Sequence, residues 1–356
     1  MNDDLKKEVV VGPAIVAAAN AMRAFDAPMR YPMLLSNYPS EATLPNALKF
    51  SGFSSFVVLV EHLIGVIILI PLIMLIRGPK QLLKKARTFQ SREWLSIAFI
   101  SLGSGLGLYF FLIALTMGNP TVAILLQKSQ PLITLLVAMF LLKERPTRFY
   151  YVAAVFAVIG ILLLAFEDIL NAELFEVAAA VASLIAASLW GANTVFGRIM
   201  TDKVDYWDLT AYRYLGGSVI LVIFNFIAFA YTPENFNVLT QTFTTFAPMY
   251  GEDALLALAI PMAGILIILL AAVFTGGIFP LTIYYFGLRW SKASVAGLAE
   301  LAFPLLAVFV NFVFLGWSLS PTQIIGAVIL VGVITYLSYV NRKEYEKAPG
   351  SVPESG

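Results

Sequence analysis

The sequence predicts an all-α polytopic membrane protein with ten transmembrane helices, arranged as two inverted repeats of five helices each. Three observations predict this fold class: the composition, the spacing of the apolar segments, and the distribution of basic residues. The chain of 356 residues is 60% hydrophobic and only 13% charged, whereas soluble domains average roughly 45–50% apolar and about 25% charged residues. A soluble core would need more polar surface to cover it, so lipid is the expected solvent.

Ten apolar segments have the length of a membrane crossing. A helix that spans the hydrocarbon core needs roughly 20 mostly apolar residues. The predicted helices cover about residues 9–32, 53–76, 94–116, 120–142, 148–166, 176–198, 208–231, 266–289, 293–315 and 321–340. Residues 34–52 and 232–253 are expected to be loops. Residues 253–266 are expected to form an interfacial or protruding extension of the eighth helix, and their course is left open. Glycines 103, 105 and 107 fall inside the third helix and predict close helix packing.

The basic residues alternate between the two sides of this arrangement. Cytoplasmic loops of membrane proteins collect Lys and Arg. With the N-terminus inside, 18 of the 23 Lys and Arg lie in inner loops and tails, and only Arg30 and Lys49 lie outside. A miscounted helix would destroy this alternation. Both termini are therefore predicted to be cytoplasmic, and the protein is expected in the plasma (inner) membrane.

Comparison of the chain with itself indicates an internal repeat. A shift of 173 residues aligns Pro131 with Pro304 and Gln127 with Glu300. Helices one to five then match helices six to ten, and because five is odd, the second copy must enter the membrane from the opposite side. Substrate sites of inverted-repeat transporters lie near the bilayer midplane. The predicted domains are a first repeat over residues 1–172, a second repeat over 173–341, and a disordered cytoplasmic tail over 342–356.

The fourth and fifth helices carry a pattern that the ninth and tenth repeat. In the first half it consists of Pro131 within an apolar run, the sequence Leu141-Leu142-Lys143-Glu144, and Gly160. In the second half it consists of Glu300, Leu301, Phe303, Pro304, Gly316, Gly326 and Gly332. This pattern resembles the repeat signature of the drug/metabolite transporter superfamily, EamA type, over nearly the whole chain.

The resemblance implies a secondary carrier of amino acids, metabolites, nucleotide sugars or drugs, and family members are often exporters. Export of an amino acid or a related polar or amphipathic compound is therefore expected, by alternating access. Symmetric roles are not expected everywhere, because Trp317 stands where the first half has Glu144. A channel or a lipid translocator is the alternative function.

Other function classes lack the residues that they need. The chain has no cysteine and one histidine, His62, so disulfides, thiol nucleophiles and multi-histidine metal sites are excluded. It contains no Walker-type motif, no HExxH and no Gly-x-Ser-x-Gly. No enzymatic activity, cofactor, metal or nucleic-acid partner is expected. The expected partners are a small-molecule substrate and membrane lipid, while coupling to protons and a homodimer are left open.

Ionisable residues inside the predicted helices are the first candidates for a functional site. A charge at membrane depth costs roughly 2.5–3.5 kcal/mol on insertion scales, and such residues mark pathways and coupling sites. The helices contain three basic and three acidic residues, namely Arg23, Lys128, Arg213, Asp26, Glu61 and Glu300. The balance of charge would allow internal pairing.

The fourth and ninth helices are predicted to form the walls of a central site. Gln127 and Gln130 share a helical face, and Lys128 points about 100° away. Pro131 is expected to kink the helix by freeing the carbonyl of Gln127; a plain kink with amides that bridge helices is the alternative. Glu300 is predicted to couple transport to protons or to bind a substrate amine, with a static partnership with Lys128 or packing at a helix end as the alternatives.

The first and second helices supply further candidates. Arg23 and Asp26 are three residues apart and can pair along one face, either as a static pair or as a clamp for a substrate carboxylate. Glu61 and His62 lie in the outer half of the second helix. His62 is a candidate proton relay, with a hydrogen-bonded histidine as the alternative. Arg213 is expected to snorkel towards cytoplasmic headgroups.

Aromatic and amide side chains of the sixth and eighth helices complete the predicted site. Trp190 and Asn193 lie at the centre of the sixth helix, and Tyr284 and Tyr285 follow Pro280 in the eighth. Aromatic walls with a few polar groups suit small-molecule sites. Packing between helices is the alternative role for these residues.

Overall fold

The computed structural model describes residues 10–25, 44–78, 80–117, 126–127, 129–145, 148–164, 166, 177–231, 270–303, 306, 309–310, 313 and 320–347. Helices contain most of these residues, and none of them lies in a β-strand. The main helices are α1 Gly12–Met22, α2 Leu44–Arg77, α3 Ser91–Met117, α4 Gln130–Leu141, α5 Arg148–Leu164, α6 Val177–Thr201, α7 Tyr206–Tyr231, α8 Ile278–Leu288, α9 Ala293–Ala299 and α10 Pro321–Lys347. Shorter elements are a 3-10 turn, Arg23–Phe25, a helix, Gln81–Ala86, and a π-helical turn, Ala271–Thr275.

Apolar helices with lipid-facing side chains make this an all-α polytopic membrane protein. Within the described part of the chain, four helices are long and apolar enough to cross a membrane, namely Val58–Arg77, Ser91–Phe111, Ala180–Thr201 and Tyr206–Ile227. Shorter apolar helices are Gln130–Leu141, Arg148–Leu163, Val273–Leu288 and Ile324–Val333. Leu75, Phe140 and Phe226 are 85%, 82% and 75% exposed, which is unfavourable against water and suits lipid. The predicted fold class is confirmed, and the number of ten crossings stays a prediction.

Two helices are longer than the sequence predicted. α2 begins at Leu44, so the loop predicted up to residue 52 is helical in its last part. Pro45 fits this start, because a first-turn proline lacks only an N–H that has no partner inside the helix. α10 continues to Lys347, so the prediction of a disordered tail is wrong for residues 342–347. These residues are mostly Arg, Lys and Glu, which favour a helix. The loop at 232–253, the segment 253–266 and residues 348–356 lie outside the described residues.

The main contacts between helices are similar in the two predicted repeats. When each helix of the first repeat is replaced by its counterpart in the second, the contacts named below stay the same. α6 contacts α3 and α4, and its counterpart α1 contacts α8 and α9. Three more interfaces join matching helices of the two halves: α2 with α7, α4 with α9, and α5 with α10. This pattern is the one expected of two five-helix repeats, whose boundaries stay a prediction.

Glycines allow α3 and α6 to form the most extensive interface among the described helices. A Cβ atom on Gly107 would lie 2.6 Å from Trp190 Nε1, and one on Gly103 would lie 3.0 Å from Asn193 Cβ. The indole nitrogen of Trp190 donates a hydrogen bond to the Gly103 carbonyl at 2.9 Å. Small residues let helix backbones approach closely in membranes. The predicted role of these glycines in helix packing is confirmed.

Charged residues join helix ends at one end of the bundle. Arg77, at the end of α2, contacts Asp205 just before α7 at 3.1 Å. Lys203, after α6, contacts Glu93 in the first turn of α3 at 3.3 Å. The distribution of basic residues predicts that these same helix ends lie together on the cytoplasmic side. Which side of the membrane this end faces stays a prediction.

The same end of the bundle holds a contact between α4 and α9. The carboxylate of Glu144, just after α4, accepts hydrogen bonds from the backbone N–H groups of Ala293 at 2.8 Å and Ser294 at 3.0 Å. The hydroxyl of Ser294 also donates to Glu144 Oε2 at 2.5 Å. A carboxylate at a helix N-terminus satisfies N–H groups that have no partner inside the helix. Glu144 therefore fixes the start of α9 to the end of α4.

Candidate functional site

Glu300 is the acceptor at the centre of a cluster to which four helical segments contribute. Its carboxylate accepts hydrogen bonds from Gln130 Nε2, from Thr194 Oγ1 at 2.8 Å, and from Tyr284 OH at 2.9 Å. Gln130 belongs to α4, Thr194 to α6 and Tyr284 to α8, while Glu300 directly follows α9. We call these four residues the Glu300 cluster. Three donors compensate in part for removing the carboxylate from water.

Helix ends bring Glu300 and Gln130 together. α9 ends at Ala299, with Glu300 as its C-terminal cap. α4 begins at Gln130, with Pro131 in its first turn. Leu126 and Gln127 are helical as well, and a turn at Ser129 separates them from α4. The chain is therefore interrupted directly before Pro131, and a kink within one longer helix stays a prediction.

Close packing of α9 on α4 sets the depth of the Glu300 cluster. A Cβ atom on Gly297 would lie 2.8 Å from Thr134 Cγ2, so only a glycine permits this approach. The seven residues of α9 place Glu300 about 10 Å from the helix start at 1.5 Å per residue. The cluster therefore lies well inside the bundle, away from the end at which α9 begins.

A second cluster surrounds Arg213 in α7. Arg213 Nε donates to Ser104 Oγ of α3 at 3.2 Å, and Nη1 donates to Tyr285 OH of α8 at 3.3 Å. Ser104 Oγ lies 2.7 Å from His62 Nε2, and His62 Nδ1 lies 2.8 Å from the carbonyl oxygen of Val58. We call His62, Ser104, Arg213 and Tyr285 the Arg213 cluster.

The contact with Val58 determines that Nδ1 of His62 carries a proton, because the Val58 carbonyl can only accept. In a neutral imidazole Nε2 is then an acceptor. In that tautomer Ser104 donates to Nε2 and accepts from Arg213. This arrangement agrees with the alternative interpretation of His62 as a hydrogen-bonded histidine. Its role as a proton relay stays a prediction.

Arg213 points into the bundle, so the expectation that it snorkels to headgroups is wrong. Its guanidinium finds two acceptors on neighbouring helices, and a charge that is satisfied there need not reach the membrane surface. Gly217 contributes to this geometry, because a Cβ atom there would lie 2.7 Å from His62 Cδ2. α7 therefore lies close enough to α2 and α3 for Arg213 to reach Ser104.

Tyr284 and Tyr285 connect the two clusters. Their ring centroids are 5.4 Å apart, and each hydroxyl contacts a different cluster. Through these two adjacent residues, a side chain that can only accept, Glu300, and one that can only donate, Arg213, lie at neighbouring sites of the apolar bundle.

Sequence reasoning missed two hydroxyl residues that belong to these clusters. Thr194 donates to Glu300, and Ser104 links Arg213 with His62. Hydroxyl groups in helices usually bond to their own helix, so a single Ser or Thr in an apolar segment gives little signal. Arg213 itself could have indicated these residues, because a guanidinium inside a membrane requires hydrogen-bond acceptors on neighbouring helices.

The other predicted site residues that the structure describes make no contact with Glu300 or Arg213 that we observe. Trp190 and Asn193 contact α3, as described above, and Glu61 is buried in α2. Gln127 is half-buried. Lys128 and Asp26 lie outside the described residues, so the pairings of Lys128 with Glu300 and of Asp26 with Arg23 stay predictions. Among the described residues, no group of three or more His, Asp or Glu side chains could hold a metal ion.

Comparison with known proteins gives a family match and several relatives. The family described as the EamA-like transporter family matches residues 47–166 and 177–339. The riboflavin transporter ImpX of Fusobacterium nucleatum subsp. nucleatum is 29% identical over 306 residues, which cover 82% of this chain and 90% of that protein. The uncharacterized transporter YoaV of Bacillus subtilis is 23% identical over 251 residues, covering 69% and 76%.

A solved structure has the same overall fold. It is described simply as the crystal structure of a protein, and it superposes with a TM-score of 0.60 over 94% of this chain and 99% of its own. The two sequences are 16% identical. At this identity the likeness shows the fold alone.

Proposed function

The chain belongs to the EamA-like transporter family, and from this premise we propose that it is a secondary active carrier that works by alternating access. It is a membrane transporter of small metabolites, so the proposal concerns the mechanism and the substrate. Two five-helix repeats would open in turn to either side of the membrane. The match of the family to two segments, 47–166 and 177–339, and the paired helix contacts support this organisation.

The Glu300 cluster is the observation that carries the proposal. Gln130 belongs to the first predicted repeat, while Thr194, Tyr284 and Glu300 belong to the second. Contacts between the repeats must change when the carrier opens to the other side. A carboxyl group at this boundary can bind and release a proton as its donors approach and leave. We therefore propose Glu300 as the residue that couples transport to protons.

Riboflavin is the first substrate to test. The Fusobacterium relative is named a riboflavin transporter, and Tyr284 and Tyr285 offer aromatic rings beside hydrogen-bonding groups, as small-molecule sites require. Export of an amino acid or a related amphipathic compound is the second proposal, from the sequence. The direction of transport follows from the side on which labelled substrate accumulates.

Reconstituted vesicles test the mechanism. The purified protein is placed in proteoliposomes, and uptake of labelled riboflavin and of an amino-acid panel is measured with and without a pH gradient. The wild type should show saturable counterflow. Glu300→Gln should lose stimulation by the pH gradient, because a neutral amide cannot exchange a proton.

A matched variant separates this role from a general effect of removing a carboxylate. Asp202→Asn makes the same chemical change at an exposed position after α6, and it should keep the pH response. Normal pH coupling in Glu300→Gln would refute the proposed role. Conductance without saturation would instead show a channel.

A further inference from the structure

We propose that Arg213 is the substrate-binding counterpart of Glu300, and that the carrier therefore selects small molecules that bear both a donor N–H and an acceptor oxygen. This inference rests on the proposed function and names the substrate class of the same site. The supporting observation is that Glu300 and Arg213, which have opposite charges, are each hydrogen-bonded to neutral side chains inside the bundle.

Glu300 and Arg213 each have their own neutral partners. Glu300 accepts from Gln130, Thr194 and Tyr284, while Arg213 donates to Ser104 and Tyr285. Among the ion pairs of the described residues, none joins Arg213 to Glu300. Opposite charges gain by direct contact in an apolar bundle, yet the structure satisfies each of these two with neutral side chains instead.

A substrate with both kinds of group can satisfy this separated pair. A carboxylate only accepts hydrogen bonds, and a guanidinium only donates them. Among the hydrogen bonds of the described residues, Arg213 donates through Nε and Nη1 and not through Nη2. We therefore expect an acceptor oxygen of the substrate to bind the Nη2 side of the planar guanidinium. The donor N–H of the substrate would bind the Glu300 carboxylate.

Ser104 and His62 act as positioning residues for Arg213. Ser104 is buried, as is His62, and their 2.7 Å contact fixes the orientation of the serine hydroxyl. A long arginine side chain has many rotamers, and a fixed acceptor at Nε removes most of them. Pre-organising a binding group in this way raises affinity, because less freedom is lost on binding.

Two kinds of small molecule share the required chemistry. A zwitterionic amino acid has an ammonium group and a carboxylate, and the ring edge of a flavin has an N–H beside carbonyl oxygens. The two sources are distinguished by matched compounds. Phenethylamine is phenylalanine without the carboxylate, and 3-methylriboflavin is riboflavin without the N–H donor.

Binding to the purified full-length carrier tests the assignment of each half. Dissociation constants for the two pairs of compounds are measured in detergent on the wild type, Glu300→Gln and Arg213→Gln. The wild type should bind phenylalanine or riboflavin at least about 10-fold more tightly than the truncated analogue, as expected for loss of a hydrogen bond to a charged group. Arg213→Gln should abolish the difference between phenylalanine and phenethylamine.

The flavin pair gives a different pattern if riboflavin is the ligand. Both flavins keep their carbonyl oxygens, so Arg213→Gln should weaken them by the same factor. Glu300→Gln should reduce the difference between them, because an uncharged amide oxygen is a weaker acceptor for the N–H than a carboxylate. Arg213→Lys keeps the charge and should bind with intermediate affinity, which separates loss of contact from misfolding. Unchanged affinity in Arg213→Gln would overturn the inference.

Paired serine variants test the positioning role. Ser101 lies one turn before Ser104 in α3, is also buried, and donates to its own helix at the Ile97 carbonyl. Ser104→Ala should raise KM by about fivefold with little change in the maximal rate. Ser104→Thr should restore KM, and Ser101→Ala should leave it unchanged. Equal effects of the two alanine variants would refute the positioning role.

Failure of the substrate class is distinguishable from failure of the proposed function. If neither phenylalanine nor riboflavin binds the wild type, the inference is wrong. Saturable uptake of another compound of the labelled panel would still support a secondary carrier. If no compound shows saturable uptake, the proposed function itself is wrong.

Discussion

Tyr284 and Tyr285 are adjacent in α8, and their hydroxyl groups contact side chains of opposite charge. Tyr284 OH lies 2.9 Å from Glu300 Oε1, and Tyr285 OH lies 3.3 Å from Arg213 Nη1. Neighbouring residues of a helix point about 100° apart, so one helix serves both clusters. A movement of α8 would therefore change the surroundings of both charges together.

Removal of the Tyr284 hydroxyl should impair coupled transport through Glu300. Tyr284→Phe deletes one donor to the carboxylate, and loss of a hydrogen bond to a charged group costs about 1.5–3 kcal/mol. We expect a drop of at least about 10-fold in uptake driven by a pH gradient. The same change at Tyr151, which is exposed on α5, should have no effect.

A double variant checks that Tyr284 acts through Glu300. Residues in one hydrogen-bond network give non-additive effects. In a Glu300→Gln background, Tyr284→Phe should cause little further loss of uptake. Fully additive losses would show that Tyr284 has an independent role.

The glycine at position 107 should be required for stability. Gly107→Ala places a methyl group where it meets the Trp190 indole at 2.6 Å, and overpacking costs about 1–3 kcal/mol. The midpoint of thermal unfolding in detergent should fall. Gly332→Ala is the control, because a Cβ atom there has no neighbour within 4 Å among the described residues. Similar midpoints for the two variants would contradict the close packing of α3 on α6.

Loss of the Glu144 carboxylate should loosen the joint between α4 and α9. Glu144→Ala leaves the N–H groups of Ala293 and Ser294 without this acceptor, at a cost of about 1–3 kcal/mol. Glu144→Gln keeps one carbonyl oxygen and should lose less stability. Arg145→Gln, an exposed neighbour, should remain within about 0.5 kcal/mol of the wild type. Unfolding midpoints of the purified variants decide between these outcomes.

The orientation in the membrane can be measured with single cysteines, because the chain has none of its own. Lys49→Cys and Lys84→Cys place a thiol on the predicted outer and inner side. In intact cells, a membrane-impermeant maleimide should label only Lys49→Cys. After permeabilisation it should label both. The reverse pattern would mean that the termini face outwards.

The sequence alone predicted the fold class because a lipid environment determines the pattern of apolar and basic residues along the chain. Lipid requires long apolar helices, and the membrane surface sorts basic residues between loops, so both signals are local. The ends of two helices were predicted less accurately. α2 and α10 extend beyond their apolar segments, because charged helix formers such as Lys343 can continue a helix into water.

The candidate site was predictable only in part. The fourth and ninth helices were predicted to form the walls of one site, and the structure brings Gln130 of α4 into contact with Glu300 after α9. Thr194 and Ser104 gave no signal, because a hydroxyl acquires its role from the neighbouring helix. Arg213 was recognised as a charged residue within a membrane helix. The direction of its side chain could not be predicted, because it depends on acceptors in α3 and α8.

The sequence by itself determined the solvent and the helical class, since both depend on periodic or summed properties of neighbouring residues. Only the tertiary structure decided which polar groups meet. A hydrogen bond depends on distances of a few tenths of an ångström between atoms of different helices, and glycine contacts such as those of Gly217 and Gly297 set these distances. The two clusters around Glu300 and Arg213 therefore exist only in the folded bundle.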